Sequence, residues 1–150
     1  MKSLAIVIGI LLTATIGSAQ GDKVAVFVKG AGQSGGFTDP SKTRQDSLKD
    51  LQKKVKDSHE LRLVDSEADA TIVLEVLDRE TKRENTLLFG RQNKSSLTVK
   101  LSAGEFSTEF SGESGSTGLM TGYGKAAGKI VDQVDSWVKN NREALSAVKK

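Results

Sequence analysis

Residues 70–83, ATIVLEVLDRETKR, alternate too regularly for a helix and carry too many β-branched residues for a loop. In an extended chain Ile72, Leu74 and Val76 fall on one side, and Val73, Glu75 and Leu77 on the other. A strand of this kind needs neighbours, and two follow it. Leu97, Val99 and Leu101 alternate with Thr98, Lys100 and Ser102, and Phe106, Thr108 and Phe110 alternate with Ser107 and Glu109. Ala103-Gly104 stands between them, where a hairpin turn is expected. Clean alternation predicts one dry and one wet face, so helices should cover the sheet on one side only.

The other elements can be read around this core. Val24 to Val28 is apolar on both faces and reads as a central strand. Asp39 suits an N-cap and Pro40 a first helical position, which predicts a helix from about Pro40 to Ser58 with Leu48, Leu51 and Val55 inward. Leu61 and Leu63 mark a short strand, and SEAD at 66–69 a turn. From Glu84 to Ser96 the chain is a polar connection, except at Leu87 to Phe89, which reads either as a strand end or as a flap. Residues 112–124, GESGSTGLMTGYG, read as a small-residue loop. Tyr123, Ala126, Ala127, Ile130, Val134, Trp137 and Val138 then recur at helical spacing, to about Asn141, with a charged frayed tail beyond. Gly128 and the two alanines predict close approach to the sheet. The order is β-α-β-β-β-β-α, an α+β fold with two helices on one face of a mixed, mostly antiparallel sheet.

The first nineteen residues, MKSLAIVIGILLTATIGSA, have the charged start, short apolar run and small-residue end of a secretory signal, with cleavage expected after Ala19. The apolar run is shorter than the roughly 20 residues a spanning helix needs. Residues 20–150 are then expected to form one domain with an ordered core over about 23–141. No stable membrane anchor is expected after cleavage, and the location expected is secreted or periplasmic. The chain has no cysteine, so disulfides play no part. Its 22 basic and 19 acidic side chains are interleaved. Even KKVK at 53–56 shares its helix with Asp46, Asp50 and Asp57. Nucleic-acid binding calls for a stripe of one sign with aromatics between, so no nucleic acid is expected.

Gly30, Gly32 and Gly35 match a dinucleotide-loop spacing after a strand. In that motif the helix starts inside the glycines, with its free N–H groups on the pyrophosphate. Here Asp39-Pro40 sets the start several residues later, and Asp57 falls in a helix tail rather than at a strand end. Asp65, Glu67 and Asp69 open like a calcium loop, but Ala70 stands at the glycine position and Val76 at the final glutamate. His59 is the sole histidine, too little for zinc; a catalytic role needs a nucleophile and an orienting acid brought close by the fold, and nothing in DSHEL at 57–61 suggests one. Glu75 reads as facing solvent or pairing with a base across the sheet, and Trp137 as core. No cofactor, metal or catalytic residue is expected. Leu119-Met120 and Leu87 to Phe89 are apolar residues in polar surroundings, either folded-back lids or contact surfaces.

The stretch LRLVDSEADATIVLEVL, with Ala68-Asp69, Ile72, Leu74 and Val76, followed by Ala126-Ala127, Ile130 and Val134, resembles small envelope domains. These are typified by the N-terminal domain of TolB and the curli-secretion lipoprotein family. FTDPS at 37–41 is also similar to a motif of uncharacterised secreted proteins. The resemblance implies an anticodon-binding-like fold and a role in protein interaction in the bacterial envelope, with no catalytic residues. Another envelope protein is the expected partner. The candidate contact residues are Gly32, Gly35, Phe37, Leu88, Phe89, Leu119 and Met120. The alternative is a small-ligand or anion site in the glycine-rich loop at 30–36.

Overall fold

A computed structural model describes residues 22–30, 42–86, 90–117 and 123–148. In chain order these form β1 (Val24–Gly30), α1 (Lys42–Asp57), β2 (Leu61–Leu63), a single 3₁₀ turn (Glu67–Asp69), β3 (Ile72–Thr86), β4 (Gly90–Ala103), β5 (Phe106–Thr117), α2 (Tyr123–Asn140) and α3 (Arg142–Val148). The sheet order is β2-β1-β3-β4-β5. β1 runs parallel to both β2 and β3, while β3–β4 and β4–β5 are antiparallel. The fold is α+β with a mixed sheet, and the strand-and-helix order matches the one read from the sequence up to α2.

The alternation explains the layering. Ile72, Leu74 and Val76 of β3, Leu97, Val99 and Leu101 of β4, and Val26 and Val28 of β1 form one buried face. Leu51 and Val55 of α1 and Ala126, Ala127, Ile130, Val134 and Val138 of α2 close over it. Burying one such Leu or Ile side chain contributes about 2–3 kcal/mol, so this face holds the molecule together. Phe106 meets the ring of Trp137 edge-on at 6.2 Å, and Trp137 packs half-buried against the core. On the opposite face Glu75 stands in register between Lys29 and Lys100.

Four features differ from the sequence reading. First, residues 84–86 and 90–96 are strand rather than a polar connection. β3 and β4 stay paired out to Thr86↔Gly90, as one long hairpin. The ladder is made of backbone groups, so a stretch without proline can extend it with polar side chains. Lys82 and Lys94 lie directly opposite each other, and their repulsion is relieved by Glu80 at 3.0 Å and Glu113 at 2.9 Å. Second, the turn is Gly104-Glu105, since Ala103 pairs with Phe106. Gly104 takes φ +57 and Glu105 does not go positive, the pattern of a turn with glycine at its first central position. Third, residues 112–117 are strand, not loop. Gly112 lets β5 approach α2 so closely that an added Cβ would lie 2.2 Å from the Ala126 carbonyl oxygen. The close approach foreseen for Gly128 is instead made to Lys54 of α1. Fourth, the tail forms α3, with Leu145 buried in the core.

A register shift between Val76 and Asp78 inserts Leu77 as an extra residue in β3. Such a bulge inverts the alternation beyond it. Arg79 and Thr81 therefore align with Leu97 and Ser95, on the helix-facing side of the sheet.

Candidate functional site

β1, β3 and β5 all run toward the same end of the sheet, and α1 and α2 both start from that end. The described elements bounding residues 31–41, 87–89 and 118–122 thus point to one end, with β3 and β4 staying paired well past the Gly30↔Val76 pair, out to Thr86↔Gly90. Gly32, Gly35, Phe37, Leu88, Phe89, Leu119 and Met120 all belong to these connections and lie outside the described residues, as does the Asp39-Pro40 boundary.

Below that end, past the apolar core, the inner face turns polar. Thr81, Ser95 and Ser114 form one row across β3, β4 and β5. Thr81 Oγ1 and the Tyr123 hydroxyl are hydrogen-bonded at 2.5 Å, which ties β3 to the first residue of α2. The Arg79 guanidinium lies 4.9 Å from the centre of the Tyr123 ring and donates to Ser47 Oγ of α1 at 3.0 Å. Ser47, Ser95 and Ser114 are buried. Among the described residues the Ser95 and Ser114 hydroxyls have no hydrogen-bond partner, a state that costs about 1–3 kcal/mol per buried group. The result is an arginine, a tyrosine and several hydroxyls between two helix starts, with hydrogen-bonding capacity to spare. Chemically this suits a small polar or anionic group.

The opposite end is closed. Ser58 Oγ accepts from the backbone N–H groups of Glu60 and Leu61, and donates to Asp135 Oδ1 at 2.7 Å, joining the end of α1, the start of β2 and α2. Burial pushes the Asp135 carboxyl above its ordinary range. The Ser58 bond opposes this, the Glu60 charge adds to it, Lys139 opposes it and Asp132 adds to it. Arg142 pairs with Glu60 and donates to the Asp22 carbonyl, clamping α3 onto the strand ends. At the exposed outer face the bond and charge of Lys94 hold the Glu113 carboxyl below its ordinary range.

The remaining sequence candidates have ordinary surroundings. Ser66 caps the 3₁₀ turn, Glu67 pairs with Lys29 at 2.8 Å, and His59 is exposed. Among the described residues no group of three His, Asp or Glu side chains is placed to hold a metal ion. No described helix is long and apolar enough to cross a membrane.

Comparison with protein-family models and with curated proteins finds no match. Solved structures to which the chain is similar include a minor lipoprotein from Acinetobacter baumannii, at 12% identity over 81% of this chain and 94% of that one, with a TM-score of 0.45. A PelC dodecamer from Paraburkholderia phytofirmans aligns at 18% identity over 77% of this chain and 85% of that one, TM-score 0.41. An uncharacterised lipoprotein B from Nitrosomonas europaea aligns at 11% identity over 82% and 86%, TM-score 0.44. No residue role passes to this chain from any of them.

Proposed function

We propose that this chain is a non-catalytic binding module of the bacterial cell envelope, engaging another envelope protein through the open end of its sheet. The observation that supports the reading is that the described elements flanking residues 31–41, 87–89 and 118–122 all point toward that end, and that two of these segments bear apolar residues in sequence, Leu87 to Phe89 and Leu119-Met120. The signal-like start of the chain and its resemblance to TolB-type and curli-type envelope domains support the compartment and the role. Photo-crosslinkers placed at Leu88 and Met120 should capture one defined envelope protein in living cells, and the purified chain should start at Gln20. Turnover of substrate by the purified chain without any such capture would overturn the reading, and a mature protein starting at Met1 would remove its compartment.

A second reading, a small polar or anionic ligand, is favoured by the hydroxyls of Ser95 and Ser114, which have no partner among the described residues and lie on the same sheet face as Arg79. If nothing occupies the site, Ser95→Ala removes an unpaired buried hydroxyl and should raise stability by about 1 kcal/mol in urea unfolding. If the protein carries a ligand there, the same substitution lowers stability and releases the ligand, a loss visible by native mass spectrometry.

A further inference from the structure

β5 is the outermost strand of the sheet and is 12 residues long, whereas β2, at the other edge, has 3. Open edges invite pairing by another chain, and proteins blunt them by brevity, charged side chains (lysine above all), proline, a bulge, or a covering helix or loop. β2 is blunted by brevity. β5 is long, contains no Lys, Arg or Pro in Phe106–Thr117, and its register with β4 runs without a shift from Gln92↔Thr117 to Ala103↔Phe106; its charges are Glu109 and Glu113 alone. A side-chain bond meets its backbone at Ser111, whose carbonyl accepts from Gln133 Nε2 at 3.1 Å. The two sides of the strand differ. Glu109, opposite Lys100, and Glu113, paired with Lys94 at 2.9 Å, stand exposed on the face away from the helices. On the helix side Phe106 is 42% exposed and Phe110 is partly buried.

We propose that the β5 edge takes an extended segment of a partner protein as an added strand, one alternating basic and apolar side chains. Its basic residues lie beside Glu109 and Glu113, and its apolar residues beside Phe106 and Phe110. Main-chain hydrogen bonds supply affinity and the alternation supplies register. A second copy of this chain fits poorly. Antiparallel pairing of two β5 strands centred on Ser111 sets Glu109 opposite Glu113, and parallel in-register pairing sets each glutamate beside its own copy. The proposal rests on the reading of the chain as a binding module, but uses a different surface from the loop-bearing end.

The probe is a labelled synthetic peptide of about nine residues alternating valine and lysine, titrated with the purified mature chain by fluorescence anisotropy. A valine–glutamate peptide is the control. The valine–lysine peptide should bind and the control should not. Glu109→Lys with Glu113→Lys, both exposed positions, should weaken binding about tenfold. N-methylation of alternate peptide amides along one edge should abolish binding, and along the other edge should leave it intact. Equal binding of both methylated forms means charge attraction alone and overturns the proposal. So does failure of the valine–lysine peptide to bind, or unchanged binding by the double variant with a native circular dichroism spectrum. Capture of an envelope protein from Leu88 or Met120 in the absence of edge binding sinks this proposal and leaves the module reading standing.

Discussion

At Gly112 one missing methyl group sets the distance between β5 and α2. An added Cβ would sit 2.2 Å from the Ala126 carbonyl oxygen and 3.1 Å from Ile130 Cγ1, and neither backbone can give way without moving its element. Gly112→Ala should cost about 3 kcal/mol. Gly115, in the same strand, has nothing within 4 Å of the equivalent position, so Gly115→Ala should stay within about 0.5 kcal/mol. Urea midpoints of the two variants separate close packing from glycine entropy. Asp135 makes a different residue-scale prediction. Burial raises its carboxyl pKa in the folded state, so the folded chain holds this proton to higher pH than the unfolded chain. As pH rises from the ordinary carboxylate value, near about 3.9, through the raised folded value, this group takes stability away. Asp135→Asn keeps an oxygen for the Ser58 hydroxyl and abolishes the titration. Its stability relative to the parent chain should therefore improve as pH rises through that window. Glu113 has the opposite sign: its contribution is present above the unfolded-chain pKa and is lost as pH falls through the lowered folded value. Urea midpoints of Glu113→Gln and Asp135→Asn across the acid range should diverge in opposite directions.

At the scale of elements, α3 is the clearest test of where the fold ends. Leu145 is buried at 3% exposure in the same cluster as Ala103 and Val138. Leu145→Ala should cost about 3 kcal/mol, read as a lower urea midpoint; a silent substitution would mean that α3 does not dock. The sequence hides this helix because REALSAV contains a single large apolar anchor near its middle and no amphipathic repeat. The core strands and α2 are legible for the opposite reason: burial on one face imposes a period of two or of 3.6, and Ile72, Leu74, Val76, Ile130 and Val134 obey it. The outer part of the β3–β4 hairpin lacks that imprint. Past the Arg79↔Leu97 pair the ladder is held by backbone bonds and paired charges, which leave no apolar pattern to read. Of the candidate site, the glycines and stray apolar residues single out segments at 31–41, 87–89 and 118–122, which lie outside the described residues. It misses Arg79, because only the extra residue Leu77 turns that side chain from the wet face to the helices. Ser47 and Ser95 carry no sequence signal at all, as a buried serine looks like an exposed one until the chain is folded.

For the molecule as a whole, the two ends of the sheet are built on different principles. One end is sealed by α3, by the Arg142–Glu60 pair and by the Ser58–Asp135 link, over strands whose side chains fill the core. The other extends β3, β4 and β5 beyond Gly30, where β1 ends, so the outer sheet has three strands in place of five. Past Leu97, the described inner-face side chains there are the hydroxyls of Thr81, Ser95 and Ser114 rather than leucine. Local stability follows buried apolar contact, not hydrogen-bond count. Native-state amide exchange should therefore fall into two classes along the same strands. Amides of Leu74, Val76, Val99 and Leu101 should exchange only through global unfolding, while those of Arg83 to Thr86 and Arg91 to Asn93 should exchange through local opening, with slopes against urea close to zero. A partner strand on β5 would protect its open edge without altering the core class. Uniform protection from Ile72 to Thr86 would instead mean that the polar end is as tightly held as the core, and would remove the physical basis for treating it as the adaptable end of the molecule.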